Sequence, residues 1–247
     1  MARPAPDRDV APTVQRLRLR YAKRGRLRFS SHRDFQRALE RALRRAEIPM
    51  AYSAGFSPHP KVSYANSAPT GVASEAEYVE IGVALACNPD AVRAALDAAL
   101  PPGLDVVEVV EARTSDFANR LEASVWRVEL PGVRRAEAER AVGLLLAETE
   151  VLVDRMTKNG RRTFDARSAV IVAECAADAG PADDCAILTL VVRHGTPSVR
   201  PDDVLSALSR VADLVPPKPP RVTRLAQGPL DEAGTSVVDP FAPDRAG

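Results

Sequence analysis

Two tandem α+β sandwiches of the ferredoxin-like, β-α-β-β-α-β kind are what this 247-residue chain predicts. Three observations carry that expectation. Residues 14–21 alternate between apolar and basic side chains. Phe35, Ala38, Leu39, Ala42, Leu43 and Ala46 then recur at helical spacing. The order strand, helix, two strands, helix, strand runs to about residue 112 and begins again after residue 122.

In the first strand Leu17, Leu19 and Tyr21 point one way and Arg16, Arg18 and Arg20 the other, which predicts a half-buried strand with a basic outer face. Lys23-Arg24-Gly25 reads as a tight turn, after which Leu27 and Phe29 resume the alternation. Ser31, with Asp34 three residues on, offers a capping box for the helix that follows. Arg37, Arg41, Arg44 and Arg45 fall on the side of that helix opposite its apolar stripe, and Pro49 ends it. Residues 50–66 give a short strand, a Gly/Pro-rich loop and another strand, and 76–86 a longer one. Asn88 caps and Pro89 opens a helix to about Leu100, which Pro101-Pro102-Gly103 stops. A strand over 104–112 completes the first set.

The second set reads as a strand at 124–130, a helix at 134–148, and strands at 151–155 and 169–174 flanking a basic hairpin at 158–162. A strand at 187–193, a helix at 201–214 and a strand at 221–227 follow, with the prolines of 216–220 as a stiff connector. The domains are therefore placed at 14–112 and 123–228, with a linker at 113–122. Residues 1–13 and 229–247 lack periodicity, are rich in Pro, Ala and Asp, and are expected to be disordered.

Charge is strongly polarised along the chain. Residues 16–45 hold twelve Lys and Arg against Asp34 and Glu40, a net +10, while the whole chain is +1. A segment of this kind suggests a polyanionic partner, nucleic acid first; the alternative is a solvated basic surface balanced elsewhere. No apolar run approaches the ~18 residues of a membrane helix, and the N-terminus has no secretory apolar region. Cys87, Cys175 and Cys185 are scattered, which suits a reducing cytoplasm and predicts neither a disulfide framework nor a metal site. No P-loop, GxGxxG, HExxH or CxxxCxxC pattern is present.

Three stretches could carry chemistry. His32 lies in the first turn of a helix, where the dipole favours the neutral ring, suited to general-base work or to a phosphate contact; the bland alternative is a surface residue beside a cap. The loop Tyr52-Ser53-Ala54-Gly55-Phe56-Ser57-Pro58-His59-Pro60-Lys61 is stiffened around His59. Tyr52 and Phe56 could stack a base there, Gly55 permits a sharp turn, and Lys61 could meet a phosphate; alternatively the rings plug the core. Asn159-Gly160 is a strong hairpin signal, with Lys158, Arg161 and Arg162 at its tip suited to RNA backbone or merely solvated.

The run Ser30-Ser31-His32-Arg33-Asp34, then Glu40-Arg41-Ala42-Leu43-Arg44-Arg45-Ala46, the loop from Tyr52 to Pro60, and Gly71-Val72-Ala73-Ser74-Glu75-Ala76-Glu77-Tyr78 together resemble the bacterial radical-SAM-linked proteins. That family is a domain of unknown function, and the resemblance covers 14–112 closely and extends to about 227. It implies the stand-alone form of the family and a radical-SAM protein as partner. It also implies no cofactor in this chain, the iron–sulfur cluster and S-adenosylmethionine belonging to that partner.

The expectation that follows is a cytoplasmic, non-catalytic accessory subunit that recruits or presents structured RNA. Arg18, Arg20, Lys23, Arg24, Arg37, Arg41, Arg44 and Arg45 would hold phosphates, and Tyr52, Gly55, Phe56, His59 and Lys61 a nucleotide. Lys158, Arg161 and Arg162 would add a second basic contact. Two other readings stay open: a metal-independent RNA-processing enzyme using His32 and His59, and a subunit that only docks on the radical-SAM protein.

Overall fold

The computed structural model describes residues 11–54, 56–158, 160–176 and 184–245. The chain is α+β and divides into two compact units. The first takes in residues up to 118 together with the stretch from 241, and the second takes in 119–240. Among the described residues no helix is long and apolar enough to cross a membrane.

The first unit follows the expected element order. Strand β1 (Gln15–Lys23) leads through a short 3-10 turn at Gly25–Phe29 into helix α1 (His32–Arg45). Strands β2 (Val62–Ala65) and β3 (Ala73–Val83), helix α2 (Pro89–Ala99) and strand β4 (Leu104–Glu111) complete it. All pairings are antiparallel, in the order β4-β1-β3-β2. Leu27 and Phe29, expected to resume the strand, lie in the 3-10 turn instead, because Gly25 at φ +54° turns the backbone away from the sheet.

One face of this sheet carries the core. Leu17, Leu19, Ile81 and Val106 pack against Phe35, Leu39 and Leu43 of α1 and Val92 and Leu96 of α2. The apolar positions of α1 are those that 3.6-residue periodicity assigns inward. Ser31 closes a full capping box with Asp34, which fixes where α1 begins. Asn88 accepts from the amides of Asp90 and Ala91 and does the same for α2.

A one-turn helix, α3 (Phe117–Arg120), follows β4 inside the stretch expected as a linker. The second unit then runs β5 (Ala123–Pro131), α4 (Arg135–Ala147), β6 (Leu152–Thr157), β7 (Gly160–Asp165), β8 (Val170–Cys175), β9 (Cys185–Arg193), α5 (Pro201–Ala212) and β10 (Arg221–Gly228). Its strands pair antiparallel in the order β10-β5-β9-β8. Strands β6 and β7 form a separate two-stranded ribbon. The sequence reading placed strands at 151–155 and 169–174 on either side of the basic hairpin, but none at 160–165, where β7 lies. The run Gly160-Arg161-Arg162-Thr163-Phe164-Asp165 carries one apolar residue and so shows no alternation to read.

Residues 229–245, expected to be a disordered tail, are ordered. In the second unit Leu230 N–H donates to Glu122 at 3.0 Å and Val238 N–H to the Pro229 carbonyl at 2.9 Å. In the first unit the last described turn, α6 (Ala242–Arg245), is tied down by Phe241 and Asp244, both buried. A few anchors order this stretch without any periodic pattern, which is why composition misread it.

Candidate functional site

The outer face of β1 is not the bare basic face that alternation suggested. Register sets Arg18 opposite Glu80 of β3 and Arg20 opposite Glu108 of β4. Arg18 is only 2 % exposed; its Nε lies 3.0 Å from Glu80 Oε2 and its Nη1 2.5 Å from Asp244 Oδ2. Arg20 reaches Glu108 at 3.7 Å, and Arg24 pairs with Glu75 and with Asp105. Lys23 is buried and its Nζ donates to the Ala68 and Pro69 carbonyls. Arg18 and Lys23 are thus out of reach of a phosphate, which corrects their expected role, and Arg20 and Arg24 already have their charge matched. A hollow of about 460 Å³ beside Arg18, Thr114 and Phe117 is lined by this same engaged guanidinium.

Helix α1 is different. Arg33, Arg37, Arg41, Arg44 and Arg45 are all exposed. At 100° per residue they occupy one arc of roughly 120°, facing away from Phe35, Leu39, Ala42 and Leu43. The row is about 18 Å long at 1.5 Å per residue. Among the described residues Arg33, Arg37, Arg41 and Arg44 have no carboxylate within ion-pair distance, while Arg45 donates to the Ala99 carbonyl at 3.2 Å. Asp34 is engaged by the cap, where hydrogen bonds from Ser31 hold its carboxyl below the ordinary range.

The 52–61 loop stands against the C-terminal half of α1. It is closed by Ser53 N–H to the His59 carbonyl at 2.8 Å and by His59 N–H to Ser53 Oγ at 3.0 Å. Tyr52, Pro58, His59 and Pro60 meet Glu40, Leu43, Arg44, Ile48 and Met50 around a cleft of about 240 Å³. Tyr52 and Phe56 are 41 % and 58 % exposed, so neither plugs the core. Gly55 lies outside the described residues. Lys61 turns elsewhere, its Nζ donating to Thr13 Oγ1 at 2.9 Å.

His32 sits at the other end of α1. Its Nε2 is 3.0 Å from Gln36 Nε2 and its Nδ1 3.2 Å from Ser67 Oγ. An amide N–H from Gln36 makes Nε2 the acceptor and leaves the proton on Nδ1, toward Ser67. The ring also meets Tyr64 edge-on at 4.8 Å. Burial, with a smaller contribution from Glu40, pushes the Tyr64 phenol up to about 12. His59 lies against positions 40–44, on the order of 15 Å further along the helix axis. The two histidines are therefore not assembled into one acid–base pair.

In the second unit Lys158 and Arg162 are exposed at the β6–β7 hairpin, while Arg161 pairs with Asp154 and holds that carboxyl down to about 2. Asn159 lies outside the described residues. Cys87, Cys175 and Cys185 are free thiols, and among the described residues no three His, Cys, Asp or Glu side chains converge as metal ligands. Sequence reasoning missed Glu40, which lines the cleft; its acidic type amid arginines was the available signal.

These features define an α+β protein of two antiparallel-sheet units with an exposed arginine face on α1. The chain belongs to a family of uncharacterized proteins conserved in bacteria (DUF2344), whose model matches residues 16–201. The match takes in β1, α1, the cleft and the β6–β7 ribbon. Comparison with curated proteins yields no match.

Proposed function

We propose that this chain is an RNA-binding accessory protein that presents RNA to a radical-SAM enzyme. The observation that carries the RNA reading is the α1 face, where Arg33, Arg37, Arg41 and Arg44 are exposed and, among the described residues, have no carboxylate within ion-pair distance. The guanidinium groups of β1 meet carboxylates, so most of the charge left over in the basic segment lies on α1, with Arg26 and Arg28 in the turn before it. A single strand laid along it would place phosphates on the arginines and turn bases toward Tyr52 and Phe56. Both units are read as the same split sandwich, since β4-β1-β3-β2 and β10-β5-β9-β8 follow one plan with the β6–β7 ribbon as an addition. The radical-SAM half of the proposal rests on the motif resemblance, and the cluster and S-adenosylmethionine would sit in that partner.

The test is capture of the full chain from a bacterial lysate after ultraviolet crosslinking, with and without ribonuclease. Defined RNA crosslinked to α1 or the 52–61 loop, beside a radical-SAM protein, is the expected result. A radical-SAM protein retained with no enriched RNA would overturn the RNA reading in favour of protein docking.

A further inference from the structure

Glu40 stands where an ion pair is expected and makes none. It precedes Arg44 by four residues, the spacing and polarity at which glutamate and arginine pair on a helix. Among the described residues no basic nitrogen lies within ion-pair distance of its carboxylate. The side chain lines the cleft instead, together with Tyr52, His59 and Arg44, over apolar walls from Leu43 and Met50. At about 240 Å³ the cleft is smaller than the ~300–1,000 Å³ of sites for drug-sized ligands and suits one planar ring.

A carboxylate in that position repels phosphate and attracts an edge of N–H donors. Arg44 and Arg41, on the same helix, attract phosphate. A ligand satisfying both has a donor-rich ring joined to a phosphate, which is a nucleotide with its base turned inward. We infer that the cleft is a base subsite selective for guanine in single-stranded RNA, with Glu40 the residue that determines the preference. Guanine presents N1–H and the N2 amine side by side, so both carboxylate oxygens accept at once in a charge-assisted pair. Adenine and cytosine offer one amine beside a ring acceptor, and uracil flanks its single N–H with two carbonyls. Tyr52 is placed to stack on the ring, and Arg44 to hold the neighbouring phosphate.

This inference rests on the RNA reading, and the experiment separates the two. Fluorescence anisotropy at fixed low salt compares labelled uridine octamers that carry one central guanine, adenine, cytosine or uracil, using the full chain and its Glu40→Gln variant. The expected result is about tenfold tighter binding of the guanine octamer by the wild type. Glu40→Gln should lose that preference, and a melting temperature equal to that of the wild type reports an intact fold. Equal binding of all four octamers by the wild type overturns guanine selectivity and leaves the RNA reading standing. A guanine preference that survives Glu40→Gln overturns the role of Glu40. No binding of any octamer overturns both.

Discussion

Arg18 and Asp244 are 226 positions apart and form a buried ion pair, Nη1 to Oδ2 at 2.5 Å, with side chains 3 % and 0 % exposed. Thr114 Oγ1 donates to the same carboxylate at 2.6 Å, and the Arg113 and Thr114 amides donate at 3.1 Å. Beside it Phe241 sits between Tyr78 and Phe117, with ring centres 5.2 and 5.5 Å away. The end of the chain is thereby part of the first unit's structure. Removing one partner of a buried pair strands the other charge and costs about 3–5 kcal/mol, and truncating a buried Phe costs similarly. Asp244→Ala and Phe241→Ala should each lower stability by that order in chemical denaturation. A loss below about 1 kcal/mol for both would mean the segment does not dock in solution.

Acid should act on the same pair. Burial alone would raise the Asp244 carboxyl, but the bonds from Thr114 and the Arg18 charge outweigh it and hold the group below its ordinary value. A depressed folded-state value contributes stability that is full above the unfolded value of about 3.9 and lost as pH falls through the folded one. Relative to wild type, Asp244→Asn should flatten the fall in stability below about pH 4. Parallel wild-type and variant curves would contradict this.

His194 gives a dependence at higher pH. Its ring is half-buried, Nδ1 donates to the Leu121 carbonyl at 2.6 Å, and Nε2 lies 2.7 Å from the Ser124 hydroxyl. Burial is the largest influence and pushes the imidazole down. The unfolded chain then binds the extra proton, so stability is full above the unfolded value of about 6.5 and falls as pH drops toward the folded one. Thermal melts between pH 7.5 and 5 should show this slope, and His194→Gln should reduce it.

Charge reversal on α1 should separate binding from folding. Arg37→Glu, Arg41→Glu and Arg44→Glu together should abolish RNA binding with little change in melting temperature, since among the described residues none of the three has a carboxylate within ion-pair distance and the weak attraction of Arg37 to Asp34 is solvent-screened. Single Arg→Ala changes should each lower the salt slope by about 0.7 for a single strand. Arg18→Ala should instead unfold the first unit. A triple variant that binds RNA as the wild type does would remove α1 from the interface.

Gly228 marks a close approach within the second unit. A Cβ built there would stand 2.1 Å from the Val238 carbonyl oxygen. Gly228→Ala should force the 229–240 segment away and cost about 1–3 kcal/mol, visible as faster hydrogen exchange at Val238 and Leu230.

What sequence alone determined is what short-range physics determines. The Ser31–Asp34 box, the apolar stripe of α1 and the arginine arc opposite it are set by spacings of three and four residues, and each appears where it was read. The element order of the first unit followed from the same local periods. Tertiary structure decided which positive charges remain available. Arg18, Arg20 and Arg24 look as basic in the sequence as Arg37 and Arg41 do. Strand register brings Glu80 and Glu108 beside the first two, sheet packing brings Glu75 and Asp105 to the third, and the returning C-terminus brings Asp244. Electrostatic cancellation depends on distance in space, and the partners lie from 51 to 226 positions away. The cleft at Glu40 is of the same kind, because it exists only where the 52–61 loop folds back against a helix whose own spacing says nothing of the loop.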